Sequence, residues 1–232
     1  MKDKKSLWKW IGLAAAAAIV ALTCRVTVIP DEVPETYVNA SGEIVVVEKL
    51  TVAEQYCVDH WDNKIMPAVK ERAKDAAQLI ADTTADLNAA GESYGNRANE
   101  TSAWSFCVSG TAKVLGLENA EKATKTTLLL DLAPFDGQAD CQLHYGTVFS
   151  SKIKNAIRDG VGFLRLDDFA NQVEFADLTT AFNNKVKKDI LSRQTADKLV
   201  GRDLSFYGCL SLTAALPENY IIVPVELEIT GV

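Results

Sequence analysis

Residues 163–177 (FLRLDDFANQVEFAD) and the run that follows them to residue 191 decide how the fold is interpreted. Large apolar residues are interleaved here with carboxylate and amide side chains, and strand-like sequence lies on both sides. The stretch is therefore predicted to connect strands of one continuous β-domain, and Asp177 is predicted to cap a helix over residues 178–191. A candidate cluster for a ligand or partner consists of Asp167, Asp168, Asn171, Gln172 and Glu174.

Three interpretations of this cluster stay open. Asp167 as a helix N-cap, with Phe169 and Val173 buried, would make the cluster purely structural. Contact with a ligand or a partner explains the same polar residues. Catalysis or metal binding by Asp167 and Asp168 is the third interpretation, but adjacent residues point in different directions on a helix or a strand.

Alternation with a period of two predicts strands beyond residue 94. Trp104, Phe106 and Val108 alternate with smaller residues, which predicts a half-buried strand. Further strands are predicted at residues 111–117, 124–132, 140–145, 204–212 and 220–229. A turn at residues 134–137 (PFDG) predicts a hairpin, and Pro224 indicates an edge position or a bulge. Residues 93–232 are therefore predicted to form a small OB-like β-barrel domain with an inserted helix, in an α+β fold.

Residues 51–92 are predicted to form a helical segment before the β-domain. Thr51 and Glu54 fit a capping box, in which the hydroxyl and the carboxylate each bind a free backbone N–H. Apolar residues then recur at spacings of three or four, at Val58, Trp61, Ile65, Val69, Ala73, Ala76 and Ile80. Pro67 interrupts this stripe and is predicted to kink the helix or restart it.

Residues 1–24 have the parts of a signal peptide or membrane anchor. Lysines precede an apolar run at residues 11–22 (IGLAAAAAIVAL), which is shorter than the roughly 18 residues of a spanning helix. The lysines predict that the rest of the chain is exported to the periplasm. Cys24 is the predicted lipidation site, and an uncleaved helix is the alternative anchor. Residues 25–50 are predicted to be a tether.

Charge and motifs exclude several functions. The chain has 232 residues and a formal net charge of −7, although lysines are concentrated at its N-terminus. An acidic body repels phosphate backbones, so nucleic acid is not an expected partner. The sequence has two histidines, His60 and His144, in different segments. It has no zinc-protease, nucleophile-elbow, phosphate-loop or dinucleotide motif, so neither an enzyme nor a cofactor is expected.

The cysteines beyond Cys24 leave the redox state open. They are Cys57, Cys107, Cys141 and Cys209. In an exported protein an even number allows two disulfides, with three possible pairings. Buried free thiols are the alternative.

Several segments together resemble a known family. They are residues 61–67 (WDNKIMP), 93–97 (SYGNR), 104–110 (WSFCVSG), 168–176 (DFANQVEFA), 200–208 (VGRDLSFYG) and 222–228 (IVPVELE). Their order and spacing resemble the bacterial predicted periplasmic lipoproteins, domain-of-unknown-function family 2291, over nearly all of the chain after Cys24. The resemblance implies an envelope protein with a helical segment and an OB-like domain, encoded beside sugar-uptake transporter components. It implies no activity, so no catalytic residues are carried over.

These observations lead to three functional hypotheses. The first is a non-enzymatic, membrane-tethered periplasmic protein that binds a ligand or partner and supports a sugar ABC uptake system. The second is a structural envelope lipoprotein whose polar cluster only stabilises the fold. The third is an enzyme that acts on envelope glycans.

Overall fold

The computed structural model of the chain describes residues 36–38, 44–46 and 49–231. The chain divides into two compact units, residues 1–49 and 50–232. In the first unit, the strands β1 (Thr36–Val38) and β2 (Ile44–Val46) pair antiparallel within the predicted tether. The predicted signal or anchor and its Cys24 lie outside the described residues. None of the helices in the described ranges has the length and apolarity needed to cross a bilayer.

The second unit contains both helices and strands. Its described α-helices are α1 (Val52–His60), α2 (Met66–Arg72), α3 (Ala76–Ala85), α4 (Leu87–Tyr94), α5 (Ala156–Gly160) and α6 (Gln172–Val186). Its described strands are β3 (Lys74–Asp75), β4 (Trp104–Glu118), β5 (Thr127–Leu132), β6 (Cys141–His144), β7 (Asp203–Leu212) and β8 (Ile221–Ile229). The α+β class is therefore confirmed, and α5 and α6 form the predicted helical insertion between β6 and β7.

The strands of the second unit form a closed ring of pairings, and the long strand β4 is a member of that ring. One part of this 15-residue strand pairs antiparallel with β5, and an overlapping part pairs antiparallel with β7. The ring continues through the antiparallel pair β5–β6, the parallel pair β6–β8 and the antiparallel pair β8–β7. The short strand β3 adds to β4 in parallel. The predicted strands at residues 104–109 and 111–117 are thus one continuous strand.

Both faces of β4 are buried from Trp104 to Val108, so the prediction of a half-buried strand is wrong for this part of the strand. Phe106 and Val108 belong to an apolar cluster made mainly by the ring strands. Cys107, on the opposite face, is 2% exposed and belongs to a second cluster with residues of α1, α2, α5 and α6. Helices cover the outer face of the strand, which a local alternation of residue types does not indicate.

The helical segment starts as predicted, but it is not one regular helix with the predicted stripe of buried apolar residues. The Glu54 N–H donates to Thr51 Oγ1 at 3.2 Å and the Thr51 N–H donates to Glu54 Oε2 at 2.9 Å, which confirms the capping box. Residues Trp61–Ile65 form a π-helical turn before α2 begins at Met66, with Pro67 in its first turn. The wider turn shifts the helical phase. In α1, ahead of this turn, Val58 is 62% exposed, whereas Cys57 is buried.

The predicted hairpin turn and the predicted bulge at Pro224 are both confirmed. The β5–β6 hairpin turns at Asp136 and Gly137, whose N–H groups donate to the Asp131 carboxylate at 3.2 and 2.9 Å. Gly137 has a φ of 85°, which glycine adopts without strain. Pro224 lies opposite Gly208 where the β7–β8 register shifts, so it occupies a bulge rather than an edge strand.

Candidate functional site

A polar cavity of about 520 Å³ opens beside the stretch 163–177. We call it the arginine cleft. It is lined by Asn96, Arg97, Ala98, Asn99, Arg158, Asp159, Gly162, Leu164, Arg165, Leu166, Asp167, Gln172, Phe175 and Ala176. Its volume falls within the roughly 300–1,000 Å³ that is usual for small-molecule sites. The walls come from the loop after α4, from α5 and from the connection that leads into α6.

The loop after α4 is fixed to both neighbouring elements through Asn96. Its backbone exchanges hydrogen bonds with Ser105 at 2.7 and 2.8 Å. Its side-chain amide donates to the Asp159 carbonyl oxygen at 2.7 Å. These bonds hold Arg97 at the cleft, where its guanidinium lies 4.1 Å from the centroid of the Trp104 ring. Arg97 also donates to the Glu100 carbonyl oxygen at 3.0 Å.

Arg158 is positioned by two contacts inside the cleft wall. Its Nε lies 2.8 Å from Asp159 Oδ1, and both side chains are largely buried. Its guanidinium also lies 4.4 Å from the centroid of the Phe175 ring. The carboxylate offsets the charge of Arg158 and leaves other guanidinium N–H groups available, because arginine has five such donors.

The structure divides the predicted polar cluster between the cleft and the local backbone. Asp167 and Gln172 line the arginine cleft. Asp168, Asn171 and Glu174 instead bind backbone N–H groups within the same stretch. Asp167 and Asp168 therefore do not form one paired carboxylate site. Within the described part of the chain, no set of three or more histidine, cysteine or acidic side chains is placed to hold a metal ion.

The capping predictions for this stretch need correction. The helix begins at Gln172, and Asn171 is its N-cap, since its Oδ1 accepts from the N–H groups of Val173 and Glu174 at 2.9 and 3.0 Å. Asp177 lies inside α6 and Asp167 lies in a 3₁₀ turn, so neither caps it. Val173 was expected to be buried and is 68% exposed.

Phe169 is half-buried, between aromatic rings of two helices. Its ring centroid lies 5.6 Å from that of Tyr56 on α1 and 5.6 Å from that of Phe175 on α6. The stretch is thereby attached to the helices α1 and α6.

The arginines of the cleft were not predicted from the sequence. Arg97, Arg158 and Arg165 come from three different segments and belong to no recognisable motif. Only Arg165 lies in the stretch that was singled out. The nearest available signal was the family-like segment 93–97, which ends on Arg97.

The described cysteines are free thiols. Cys107 and Cys209 lie opposite each other on β4 and β7, with their Sγ atoms 3.8 Å apart. Their mutual hydrogen bond lowers the pKa of Cys107 and raises that of Cys209. Burial raises the pKa of Cys57 to about 11 and also raises that of Cys141. Of the pairings left open by the sequence, the structure brings Cys107 and Cys209 into contact.

Comparisons with known proteins agree with this architecture. The family model described as "Predicted periplasmic lipoprotein (DUF2291)" matches residues 14–228. An OB-fold protein from Thermotoga maritima, known from a crystal structure, is similar with a TM-score of 0.61 at 16% identity. The match covers 78% of this chain and 100% of that one, which supports the OB-like fold. No curated protein matches the sequence.

Proposed function

This chain belongs to the DUF2291 family of predicted periplasmic lipoproteins, and from that premise we propose that it is a non-enzymatic binding protein. Its ligand is a small molecule that carries a carboxylate or phosphate group, and the site is the arginine cleft. The observation that carries the proposal is the convergence of Arg97, Arg158 and Arg165 on one cavity. A guanidinium presents a planar fork of N–H donors that matches carboxylate and phosphate oxygens.

The arginines differ in how free they are to bind a ligand. Asp159 offsets the charge of Arg158, and Arg97 contacts the Trp104 ring and donates to the Glu100 carbonyl oxygen. Arg165 is solvent-exposed, next to the 3₁₀ turn that carries Asp167. Arg165 is therefore assigned the main ionic contact, and Asn99 and Gln172 supply polar groups for the rest of the ligand.

Calorimetric titration of the full-length chain in detergent tests this assignment. The probes are glucuronate, glucose 6-phosphate and citrate, with glucose as the neutral comparison. At least one anion is expected to bind, and Arg165→Gln should weaken it by about tenfold or more, the effect of losing one charged hydrogen bond. Arg193→Gln is the matched control, because Arg193 is also exposed but lines a different cavity. Equal losses in both variants, or no anion binding, would refute the proposal.

The membrane attachment and the partner are further parts of the proposal. We assign the attachment to a lipidated Cys24, with an uncleaved N-terminal helix as the alternative, and the partner to a sugar-uptake transporter component. The lysine-rich start supports the first part and the family resemblance supports the second. Crosslinking in intact envelopes, followed by mass spectrometry of partners and of the N-terminal peptide, tests both. An unmodified Cys24 peptide contradicts lipidation, and the lack of any transporter component contradicts the partner.

A structural envelope lipoprotein is the second candidate function. It is favoured by the local roles of Asp168, Asn171 and Glu174, which bind backbone within their own stretch. In that case the arginine cleft takes no ligand, so the titration described above separates the two candidates.

A further inference from the structure

Cys107 and Cys209 bring two nucleophilic side chains together outside the arginine cleft. They are partners in the antiparallel pairing of β4 with β7, and their Sγ atoms are 3.8 Å apart. Residues directly opposite each other in such a pair have Cα atoms about 4.5–5.5 Å apart. A disulfide spans about 4.4–6.8 Å between Cα atoms. A disulfide can therefore close here by rotation of the two side chains, without displacement of either strand.

The compartment favours this oxidation. The family is one of predicted periplasmic lipoproteins. Disulfides form and persist in the bacterial periplasm, where thiol oxidases maintain oxidising conditions. The two cysteines are also 102 positions apart in the chain. A bond across so long a loop restricts the unfolded chain more than a bond across a short loop does.

The other described cysteines do not offer a second pair. Cys57, on α1, belongs to the apolar cluster that contains Cys107 and Cys209, whereas Cys141, on β6, belongs to the other cluster. Burial raises the pKa of both Cys57 and Cys141, which favours the unreactive thiol form. The sequence allows two disulfides, and the packing of the described residues supports one.

The folded protein shields the Cys107–Cys209 pair. Cys107 is 2% exposed and Cys209 is 0% exposed. A methyl group at Gly160 would lie 3.4 Å from Cys209 Sγ and 3.5 Å from Cys107 Sγ, so α5 covers both sulfur atoms. Cys107 Sγ also donates to the Gly160 carbonyl oxygen at 3.3 Å. An oxidant therefore reaches the pair only before α5 packs onto β4 and β7, while the chain is folding.

We propose that Cys107 and Cys209 form a structural disulfide as the exported chain folds, with the disulfide of a periplasmic thiol oxidase as the oxidant. The thiolate of one cysteine attacks a sulfur atom of that disulfide, which breaks the S–S bond of the oxidant and gives a mixed disulfide. The thiolate of the other cysteine then displaces the oxidant. The two cysteines lose two protons and two electrons, and the oxidant leaves as a dithiol. Cys57 and Cys141 remain thiols.

The bond encloses the part of the chain that builds most of the arginine cleft. Arg158 and Arg165 lie between the two cysteines in sequence, as do the helices α5 and α6. The disulfide therefore makes the helical insertion part of one covalent loop. The proposal rests on the periplasmic location and not on ligand binding in the arginine cleft, so either can fail without the other.

Peptide mapping tests the bond directly. The full-length chain is purified in detergent from the envelopes of an export-competent bacterium, after free thiols have been alkylated in denaturant. Trypsin without reduction separates the four cysteines beyond Cys24, because a lysine lies between each successive pair. Mass spectrometry is expected to find the Cys107 peptide linked to the Cys209 peptide, with Cys57 and Cys141 alkylated. Cys141→Ala should retain the link, and Cys209→Ala should leave Cys107 alkylated.

A second measurement tests when the bond forms. The chain is reduced in urea, and oxidised glutathione is added either during refolding or after refolding is complete and the reductant has been removed. The link should form in the refolding chain and not in the folded one over the same time. The proposal is overturned if both cysteines are alkylated in the exported protein, if either is linked to Cys57 or Cys141, or if the folded and refolding chains gain the link equally fast.

Discussion

At the scale of single residues, the buried His144 predicts a specific pH dependence of stability. The unfolded chain protonates this ring below its ordinary pKa of 6.5, whereas the folded chain does so only near pH 4. Stability therefore rises with pH between about 4 and 6.5, and the contribution is lost as pH falls through that window. The full effect is about 3 kcal/mol. Urea unfolding from pH 4 to 7 should show this slope in the native chain and lack it in His144→Leu.

The comparison of these two proteins isolates the histidine. The other titratable groups of the protein, including Lys187 near the ring, are present in both chains. Their titration therefore cancels in the difference between the two unfolding free energies. A difference that does not change with pH would show that His144 is not buried in its neutral form.

The structural roles of single residues were predictable from the sequence where their interactions are local. Thr51 and Glu54 are three positions apart and satisfy each other, so their capping box needed no knowledge of the fold. Asp177 was predicted to cap α6, but asparagine is as good an N-cap residue as aspartate, so local preference does not choose between Asp177 and Asn171. Packing decides which residue caps the helix, because Phe175 contacts both Phe169 and Arg158 when the helix begins at residue 172.

At the scale of elements, this assignment predicts how α6 responds to loss of its cap. Asn171→Ala should lower the free energy of unfolding by about 1 kcal/mol, because two backbone N–H groups lose their acceptor. Asp177→Ala is the matched control and should change stability by less than about 0.5 kcal/mol, since Asp177 is exposed inside the helix. Urea titrations monitored by circular dichroism give both values. A larger loss for Asp177→Ala than for Asn171→Ala would restore the original assignment.

The types of the elements were predictable from the sequence, but which residues of a helix or strand are buried was not always predictable. The helical segment, the hairpin and the bulge at Pro224 were indicated by spacing and turn chemistry. The π-helical turn at Trp61–Ile65 was not, because it inserts an extra residue without a sequence marker. The burial of Cys107 on the outer face of β4 depends on helices distant in sequence.

At the scale of the whole molecule, the OB-like α+β architecture followed from the order of helices and strands. The closed ring of pairings could not be read from that order, since β4 pairs with its neighbour in sequence, β5, and also with the distant strand β7, as between Cys107 and Cys209. The arginine cleft was unpredictable for the same reason. Asn96 ties its loop to Asp159, and this bond between distant segments brings Arg97 beside Arg158.

The central claim is that the arginine cleft holds an anionic ligand. A crystal structure of the protein soaked with glucuronate, or with the anion that binds most tightly in the titration, tests it most directly. The predicted result is a carboxylate or phosphate within hydrogen-bond distance of the Arg165 guanidinium, with Arg97 or Gln172 as a second contact. A cleft without the anion at saturating concentration, or an anion bound only at another surface, would contradict the account.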